Sequence, residues 1–553
     1  MASFYGPLSP YVNAAWFRLF GVSLRTLALG NLALLAAVTA ALWLIVRRGA
    51  AGGRWGATAG ALTFLAVCGF AQRVSSGSFN FVAPYSHEAT HGFALGAGAV
   101  LASLRMIETG RVRWAVLAGA LAGASFLTKP ESFLAAAGAS GAGLLLALHR
   151  PADKPQAGRM LGGYAAGLLA PPALAWVLLA IPLPAAQAAR GVLGSWAHAG
   201  NEELRRNPYF AWSMGTNDVG GSVAALARAA GVQVAVLGAA AALAWLARGR
   251  PRWSKPLAAA AAVAVAVAFL PGWSAGAWLE VPRPLPLWTL AVAAWSAWML
   301  RKARHEPAAF ALYGARLVLS VFALLLLLRM ILHARLYHYG FVLAAPAVFV
   351  LVAALVDWIP AAIDRRGGAG TVFRSASLAL IAVAVAFHLG STDSWLRAKR
   401  TVVGSGGDRF RADVRGAYVN AAMRGIEGLA RPGDTLVVLP EGVMVNYLLR
   451  TRSSIPYLTM LPSDVATFGE DELLGALQRA PPALILLVHR ETSEFGPRFF
   501  GADYGLRIAR WIDGRYVSVG RVGDPPLRPG STFGITALRL RAVPPPSPEA
   551  GRP

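Results

Sequence analysis

Cysteine is nearly absent from this sequence, since Cys68 is the only one among 553 residues. A single thiol cannot form a disulfide bond within the chain, and it excludes any metal site built from several cysteines. Cys68 lies inside an apolar stretch, where we predict a small, buried side chain.

Charged residues are also scarce. They make up 14% of the sequence, whereas hydrophobic residues make up 56%, which is too apolar for a soluble globular protein. Apolar windows of roughly 17–25 residues, the length that a helix needs to cross a bilayer, recur before position 390. We predict a polytopic α-helical membrane protein with about twelve transmembrane helices at these segments: Leu27–Val46, Gly56–Gln72, Thr90–Ile107, Arg113–Thr128, Ser132–His149, Leu161–Ile181, Val223–Leu246, Leu257–Gly272, Leu285–Leu300, Ala308–Leu332, Gly340–Trp358 and Phe373–Leu389.

Acidic residues are outnumbered, with 27 Asp and Glu against 52 Lys and Arg, for a net charge of +25. The basic residues concentrate in alternate connections, which the positive-inside rule places in the cytoplasm. A nucleic-acid-binding surface would need them gathered on one water-soluble face, so we predict no nucleic-acid partner. The six basic connections lie around Arg48, Arg111, Lys154, Arg250, Lys302 and Arg366. The loops at Tyr85 and Lys129, the Pro182–Ser222 loop and the C-terminal region then face the periplasm.

The composition changes beyond Gly390, where hydrophobic runs become too short to span a membrane. We therefore predict a membrane domain over residues 1–390, a small α/β domain over 391–543 and a disordered tail over 544–553. The α/β domain is predicted to contain helices Arg415–Leu429 and Glu470–Arg479 and strands Thr435–Leu439, Ala483–Val488 and Arg515–Val522.

Five polar residues lie within twelve positions at the start of the third predicted span: Asn80, Tyr85, His87, Glu88 and His91. If the helix begins near Ser86, its two histidines are at positions i and i+4 and share one face with Glu88. Such a group can act as acid, base or ligand, and simple packing at a helix end is the alternative.

His87 to His91 also match the pattern H-E-x-x-H, in which two histidines bind zinc and the glutamate activates water. Ala94 and Ala97 stand where a longer zinc-protease motif has glycine and histidine, and only Glu108 or Glu131 remains as a third ligand. A zinc membrane protease stays open as an alternative, and a divalent metal is possible.

Two further clusters lie in loops predicted to be periplasmic. Lys129 and Glu131 flank Pro130, and Arg335, Tyr337 and His338 lie in the sequence ARLYHYG. A lysine at a helix end often only extends toward the headgroups, but a cation there also suits a lipid phosphate. The fork of Arg335 can donate two hydrogen bonds to phosphate oxygens.

Four stretches together resemble one family: PYSHEATHG, FLTKPESFLA, ARLYHYGFVLAAP and, in the α/β domain, VVLPEGVMVNYLL. They are similar to the GT-C superfamily of polytopic glycosyltransferases, specifically to bacterial family 39 relatives of protein mannosyltransferases and aminoarabinose transferases. The resemblance implies transfer of a sugar from a polyprenyl-phosphate carrier to a lipid, protein or glycan acceptor at the external face of the bacterial inner membrane. That chemistry needs a carboxylate base and cations that stabilise the leaving phosphate. It needs no nucleotide pocket, and the resemblance implies no definite cofactor.

The family pattern also implies a first helix followed by a loop with a catalytic acidic residue. The stretch GPLSPYVNAAWFRLFGVSLRTL resembles only the distal half of that loop, and Glu88 is the first acidic residue in the chain. Either Glu88 serves as the base, or the natural protein begins upstream of Met1.

The residue roles expected under this resemblance fall into three groups. The catalytic residues are Glu88, His87 and His91; the donor-phosphate site comprises Lys129, Arg335, Tyr337 and His338; and Asn80, Tyr85 and Glu131 contact substrate. A transporter or lipid flippase and a noncatalytic assembly subunit are the other functions that the sequence leaves open.

Overall fold

The computed structural model describes residues 5–50, 53–73, 78–149, 154–269 and 279–541. They form two compact units. The helical unit comprises the described residues up to Ala197 together with Trp212–Arg397, and the α/β unit comprises His198–Ala211 with residues 398–541. The tail predicted to be disordered lies outside the described residues.

Helices build the whole of the first unit in its described part. Their bounds are Leu8–Phe20, Leu24–Arg48, Trp55–Phe64, His87–Thr109, Val112–Phe126, Pro130–Leu148, Lys154–Ala180, Ala185–Leu193, Val219–Leu246, Pro251–Phe269, Leu285–Lys302, Pro307–Leu327, Gly340–Leu343, Ala345–Ala353, Ile359–Arg365 and Gly370–Ala398. The turns Leu65–Gly69 and Ala354–Trp358 have π-helical geometry and extend the helices before them. The helix Pro208–Met214 contains the boundary between the two units.

Each of the twelve predicted spans falls on helical structure, although Leu257–Gly272 ends outside the described residues. The span Gly340–Trp358 covers the helices Gly340–Leu343 and Ala345–Ala353 and the turn Ala354–Trp358. Nine helices in the described ranges are long and apolar enough to cross a membrane: Leu24–Arg48, His87–Thr109, Pro130–Leu148, Gln156–Ala180, Pro208–Leu246, Arg252–Phe269, Pro307–Met330, Gly340–Arg365 and Gly370–Ala398. The helices Trp55–Gly69 and Val112–Phe126 are shorter than that, and Leu285–Lys302 is not among the nine. The predicted polytopic helical architecture is confirmed.

The loops that are predicted to be cytoplasmic meet at one end of the helical unit. Arg48 Nε lies 2.9 Å from Glu108 Oε1, which joins the first two of these loops. The Ala369 amide donates to the Ala244 carbonyl at 2.9 Å, which joins two others. Alternating loops therefore share an end, as helices that run up and down through a bilayer require.

The loops that are predicted to be periplasmic meet at the opposite end, where the His87–Thr109 helix begins. The Gly6 amide donates to the Thr128 carbonyl at 3.1 Å. The rings of Phe79 and His338 have centres 4.1 Å apart, although the two residues belong to different loops. The candidate site lies at this end.

The helices Val112–Phe126 and Lys154–Ala180 contact each other at glycine residues. A Cβ atom on Gly119 would overlap the Tyr164 carbonyl oxygen, and one on Gly123 would overlap the carbonyl oxygen of Leu168. A Cβ on Gly167 would in turn overlap the carbonyl oxygen of Val116. Only small residues allow two helix backbones to approach this closely, which is a common way for membrane helices to pack.

Strands and shorter helices build the α/β unit. The strands are β1 (Thr401–Val403), β2 (Phe410–Ala412), β3 (Leu436–Leu439), β4 (Leu484–Val488), β5 (Tyr516–Gly523) and β6 (Gly534–Leu540). The helices are Glu202–Arg205, Arg415–Leu429, Met444–Leu449, Pro462–Phe468, Glu470–Arg479 and Leu506–Arg515.

The main sheet has the strand order β3-β4-β6-β5. Strands β3 and β4 are parallel, with Leu436 opposite Leu484, whereas β6 runs antiparallel to β4 and to β5. The three predicted strands and the two predicted helices are present. Strand β6, which the sequence analysis missed, lies between two of the predicted strands.

The segment His198–Ala211 packs against this sheet domain. Asn201 Nδ2 donates to the Ala466 carbonyl at 2.7 Å, and the rings of Tyr209 and Phe495 have centres 5.4 Å apart. The sequence analysis treated this segment as part of a loop of the membrane domain. In the structure its polar and aromatic side chains belong to the α/β unit instead.

Candidate functional site

Lys129 lies in the turn between the helices Val112–Phe126 and Pro130–Leu148. The fixed φ of Pro130 suits the first position of a helix, so the sequence starts the second helix directly after the lysine. Only 3% of Lys129 is exposed. Its Nζ atom lies 4.3 Å from the centre of the Tyr5 ring and 4.5 Å from that of the Tyr339 ring.

This lysine has no salt bridge to a carboxylate within the part of the chain that the structure describes. Aromatic faces attract a cation, but a buried charge is costly unless an opposite charge accompanies it. The position of Lys129 therefore suits a negatively charged ligand.

Aromatic rings surround the lysine. The Phe79 ring centre lies 4.1 Å from that of His338 and 5.2 Å from those of Tyr85 and Tyr339. We call this group the Lys129 cluster: Tyr5, Phe79, Tyr85, Lys129, His338 and Tyr339. The cluster combines one cation with flat apolar faces, which is a suitable surface for a phosphate next to a sugar ring or an isoprenoid chain.

His338 has a strained backbone and a neutral ring. Its φ of 54° lies in the left-handed region, which residues other than glycine seldom adopt. Burial, together with the charges of Arg335 and Lys129, lowers the pKa of His338 to about 3. The ring is therefore uncharged at neutral pH and can contribute hydrogen bonds to a ligand but no positive charge.

Arg335 is buried, with 1% of the residue exposed. Its Nη1 atom donates to the Ser213 carbonyl and its Nη2 atom to Ser213 Oγ, each at 3.0 Å, and its Cζ atom lies 4.6 Å from the Trp212 ring centre. The sequence predicted that the guanidinium group of Arg335 faces a phosphate. In the structure two of its nitrogens hold Ser213, while its charge still acts on His338.

Tyr337 lies beside this arginine, since Arg335 Cζ is 5.9 Å from the Tyr337 ring centre. Trp212 and Ser213 are contacts of Arg335 that sequence reasoning did not find as such. The sequence does contain the aromatic residues Tyr209 and Trp212 in this loop, but such residues are typical of a membrane interface and do not indicate a partner.

The predicted catalytic group occupies the first turn of the His87–Thr109 helix. The ring centres of His87 and His91 lie 5.8 Å apart, and His91 Nδ1 is hydrogen-bonded to Ser9 Oγ at 3.0 Å. Glu88 is half-buried, and its Oε2 atom accepts a hydrogen bond from Ser86 Oγ at 2.8 Å. Glu88 has no ion pair to a described residue, so its carboxylate is available to accept a proton.

The catalytic group and the Lys129 turn are neighbours. A Cβ atom on Gly92, the residue after His91, would lie 2.5 Å from Thr128 Oγ1 and 2.6 Å from Ser132 Oγ. Glycine at this position lets the start of one helix approach the turn that contains Lys129. Two predicted groups that are about 40 residues apart in the sequence thus adjoin at one end of the helical unit.

The structure also describes the predicted substrate-contacting residues Asn80 and Glu131. Asn80 is buried; its Nδ2 donates to the Ala71 carbonyl at 3.0 Å, and its Oδ1 accepts from the Val82 and Ala83 amides. Its amide group shapes the loop that presents Phe79 and Tyr85. Glu131 is half-buried in the first turn of the Pro130–Leu148 helix.

A metal site needs three or more suitable side chains. Within the described residues, no group of three or more His, Cys, Asp or Glu side chains is placed to hold a metal ion. One ring nitrogen of His91 already contacts Ser9, and the H-E-x-x-H pair has no third ligand in these ranges.

Comparison with known proteins gives structural neighbours only. No family model matches the sequence, and no curated protein matches it. Among solved structures, the chain is similar to ArnT from Cupriavidus metallidurans bound to undecaprenyl phosphate, with a TM-score of 0.45 and 14% identity over 97% of this chain and 88% of that chain. It is also similar to the archaeal oligosaccharyltransferase AglB from Archaeoglobus fulgidus in complex with an inhibitory peptide and a dolichol-phosphate, with a TM-score of 0.44 and 12% identity over 96% of this chain and 66% of that chain.

The apo state of ArnT gives a TM-score of 0.36 at 16% identity, over 97% of this chain and 88% of that chain. ArnT and AglB are GT-C superfamily membrane glycosyltransferases, the superfamily that the sequence motifs resemble. The TM-scores and identities of these neighbours are low.

Proposed function

We propose that this protein is a GT-C-type membrane glycosyltransferase that moves a sugar from a polyprenyl-phosphate carrier to a lipid, protein or glycan acceptor. One observation carries the proposal: Lys129 is almost fully buried between two tyrosine rings and has no carboxylate partner among the described residues. A lipid phosphate supplies the missing negative charge, and the isoprenoid supplies an apolar tail that reaches the site through the membrane.

The surroundings of Lys129 favour a phosphate in a second way. The Pro130–Leu148 helix begins directly after the lysine, so the positive end of the helix dipole lies next to Lys129. Arg335 remains hydrogen-bonded to Ser213, and its charge adds positive potential near His338. Both effects stabilise the phosphate as it leaves the sugar with its negative charge.

Glu88 is the proposed general base. The acceptor hydroxyl oxygen attacks the anomeric carbon of the sugar, the bond from that carbon to the phosphate oxygen breaks, and Glu88 takes the hydroxyl proton. The products are the glycosylated acceptor and polyprenyl phosphate. His87 and His91 lie within one turn of Glu88, and the contact of His91 with Ser9 fixes that turn.

The positive-inside rule supports a location in a bacterial inner membrane with the site on the periplasmic face. The basic connections meet at the end of the helical unit that lies opposite to Lys129. By the same rule, residues 398–541 form a periplasmic domain.

Binding of undecaprenyl phosphate tests the phosphate site. The full-length protein in lipid nanodiscs is titrated with this lipid, and we expect Lys129→Met to weaken binding at least tenfold while Lys129→Arg keeps most of it. Lys302→Met is the matched control, since Lys302 Nζ lies 3.7 Å from the Trp298 ring centre but is exposed at the other end of the unit. Equal affinity of Lys129→Met and wild type would reject the site.

Release of undecaprenyl phosphate tests the reaction. Proteoliposomes are supplied with a panel of undecaprenyl-phosphate-linked sugars and candidate acceptors. Loss of a general base costs about 10²- to 10⁴-fold in rate, so Glu88→Gln should lose at least 100-fold while it still binds undecaprenyl phosphate. Glu306→Gln, at an exposed site, should keep full activity. Full activity of Glu88→Gln would contradict the role of the base.

The transporter and flippase alternative gains no support from the buried charges of the helical unit. Arg316 Nε donates to the Gly49 carbonyl at 2.7 Å, and Asp357 Oδ2 accepts from the Gly56 amide at 2.8 Å. Both side chains thus bind backbone groups at helix ends. Movement of a sugar-linked lipid across vesicles without cleavage of the glycosidic bond would favour this alternative.

A further inference from the structure

A small recess lies next to the Lys129 cluster, and Phe79 and His338 are part of its lining. Its empty space, counted together with the solvent at its open mouth, is about 200 Å³. The side chains that matter for its chemistry are Arg73, Phe79, Leu336, Tyr337, His338 and His388. Among the described residues, its lining includes neither Lys129 nor a carboxylate.

His388 is the first sign of a ligand. It is 1% exposed, and neither of its ring nitrogens makes a hydrogen bond of normal geometry to a described residue, although the Val67 carbonyl is a polar neighbour. Buried polar groups are almost always paired in native proteins. A buried histidine with two ring nitrogens, which lines a recess and has the Val67 backbone as its polar neighbour among the described residues, therefore indicates that something polar binds in the recess.

Arg73 is the second, independent sign. It follows the turn Leu65–Gly69 and is half-buried, and its Nη1 atom is fully buried without a hydrogen-bond partner among the described residues. Burial lowers the pKa of Arg73, but a guanidinium remains charged at neutral pH. Its planar fork matches a phosphate or a carboxylate, which can accept two parallel hydrogen bonds.

Tyr337 completes the set of donors. Tyr337 lines the same recess, and it is close enough to Arg73 to raise the pKa of the guanidinium, against the larger lowering by burial. Arg73, Tyr337 and His388 thus line a small volume together with His338 and with the apolar residues Phe79 and Leu336. This is the composition expected of a site for one anionic group.

We propose that Arg73, Tyr337 and His388 form a second oxyanion-binding subsite, for a phosphate or a carboxylate that the substrate carries in addition to the phosphate at Lys129. The inference rests on the proposed function, since His338 and Phe79 are common walls of the recess and of the Lys129 cluster. The substrate would then carry two negative groups, either as a polyprenyl diphosphate or as an acidic sugar.

Two pairs of probes separate these sources. The full-length protein in nanodiscs is titrated with undecaprenyl diphosphate against undecaprenyl phosphate, and with glucuronate against glucose. We expect the doubly charged or acidic member of at least one pair to bind at least tenfold more tightly. A preference for diphosphate assigns the second group as phosphate, and a preference for glucuronate assigns it as a carboxylate. No preference in either pair would overturn the proposal.

Variants assign the preference to the recess. Arg73→Gln should abolish the preference and leave the affinity for undecaprenyl phosphate within twofold of wild type, and Arg73→Lys should keep part of the preference. Arg25→Gln, at an exposed arginine, is the matched control and should change neither quantity. An Arg73→Gln protein that keeps the full preference would contradict the assignment.

A further outcome separates this subsite from the proposed function. If Arg73→Gln weakens undecaprenyl phosphate as much as Lys129→Met does, the recess belongs to the first phosphate site and the second subsite is rejected. If Lys129→Met has no effect on that lipid, the proposed function fails instead. Should Arg73→Gln not fold, His388→Asn must remove the preference in its place, and a His388→Asn protein that keeps it would reject the subsite.

Discussion

At the scale of single residues, the sequence indicated which side chains are chemically capable but not what each one contacts. Lys129 was identified from its place at the end of an apolar segment, and the structure puts it between Tyr5 and Tyr339. Neither ring could be assigned to it beforehand, because the three residues come from loops far apart in the chain. For Arg335 the sequence indicated a fork that can bind phosphate, and in the structure two of its nitrogens donate to Ser213.

The neutral ring of His338 leads to a prediction about pH. Its pKa of about 3 in the folded protein lies below the usual 6.5, so the unfolded chain binds a proton that the folded chain does not. Stability should therefore fall as the pH is lowered from about 6.5 toward 3, by at most about 1.4 kcal/mol per pH unit from this group.

The variant His338→Asn isolates this contribution, because asparagine tolerates the left-handed backbone but does not titrate. We expect the apparent Tm of the full-length protein to decline less between pH 7 and pH 5 in the variant than in wild type. Parallel declines in the two proteins would show that His338 is already protonated in the folded state.

Ser213 allows a test of the anchoring of Arg335. Ser213→Ala removes the hydroxyl acceptor and keeps the carbonyl, so it should cost about 1–3 kcal/mol by leaving a guanidinium nitrogen with one bond fewer. Thermal unfolding in detergent measures the loss. Ser394→Ala, whose hydroxyl group is exposed and bonds only to the Ser391 carbonyl, is the control, and an equal loss in both variants would contradict the anchoring role.

At the scale of elements, hydrophobic length located the membrane helices well because each crossing needs its own apolar run. Strand β6 escaped notice since its sequence, GITALRL, mixes apolar residues with Thr536 and Arg539. Its pairing with both β4 and β5 is a long-range property that the local pattern does not contain. The contact between two helices through Gly119, Gly123 and Gly167 was likewise invisible in a sequence rich in glycine.

That helix contact predicts a strong dependence on the size of residue 123. Gly123→Ala places a methyl group against the carbonyl oxygen of Leu168, which is backbone and cannot rotate away, so the helices must separate at a cost of about 1–3 kcal/mol. Thermal unfolding of the full-length protein measures this cost.

Gly141→Ala is the matched control for this experiment. Gly141 also lies inside a membrane helix, and a Cβ atom there would meet nothing within 4 Å. The substitution should be neutral or should stabilise the helix by about 0.5–1 kcal/mol. Similar effects at positions 123 and 141 would mean that the two helices do not rely on close approach.

At the scale of the whole helical unit, the alternation of basic loops predicted which connections share an end. This prediction needed only charge counts, because the membrane sorts loops by Lys and Arg content. The distances within each end needed the fold. His87, Glu88, Lys129 and Arg335 all lie at the end where helix His87–Thr109 begins, but their order around that end could not be derived from spacing in the sequence.

Labelling of single cysteines tests the two ends directly. Cys68 is fully buried, so Cys68→Ala provides a background without thiols. On that background, Ala83→Cys should react with a membrane-impermeant maleimide added to intact spheroplasts, whereas Thr109→Cys should react only after lysis. Both positions are exposed in the structure. Labelling of both cysteines in intact spheroplasts would refute the orientation.

The hydrogen bond from Gly6 to Thr128 has a practical consequence for handling this protein. It ties the stretch before the Leu8–Phe20 helix to the turn that bears Lys129, and Tyr5 on that stretch covers one face of the lysine. An affinity tag or a reporter fused ahead of Tyr5 would crowd that face and distort the measured affinities, so purification handles are better inserted elsewhere.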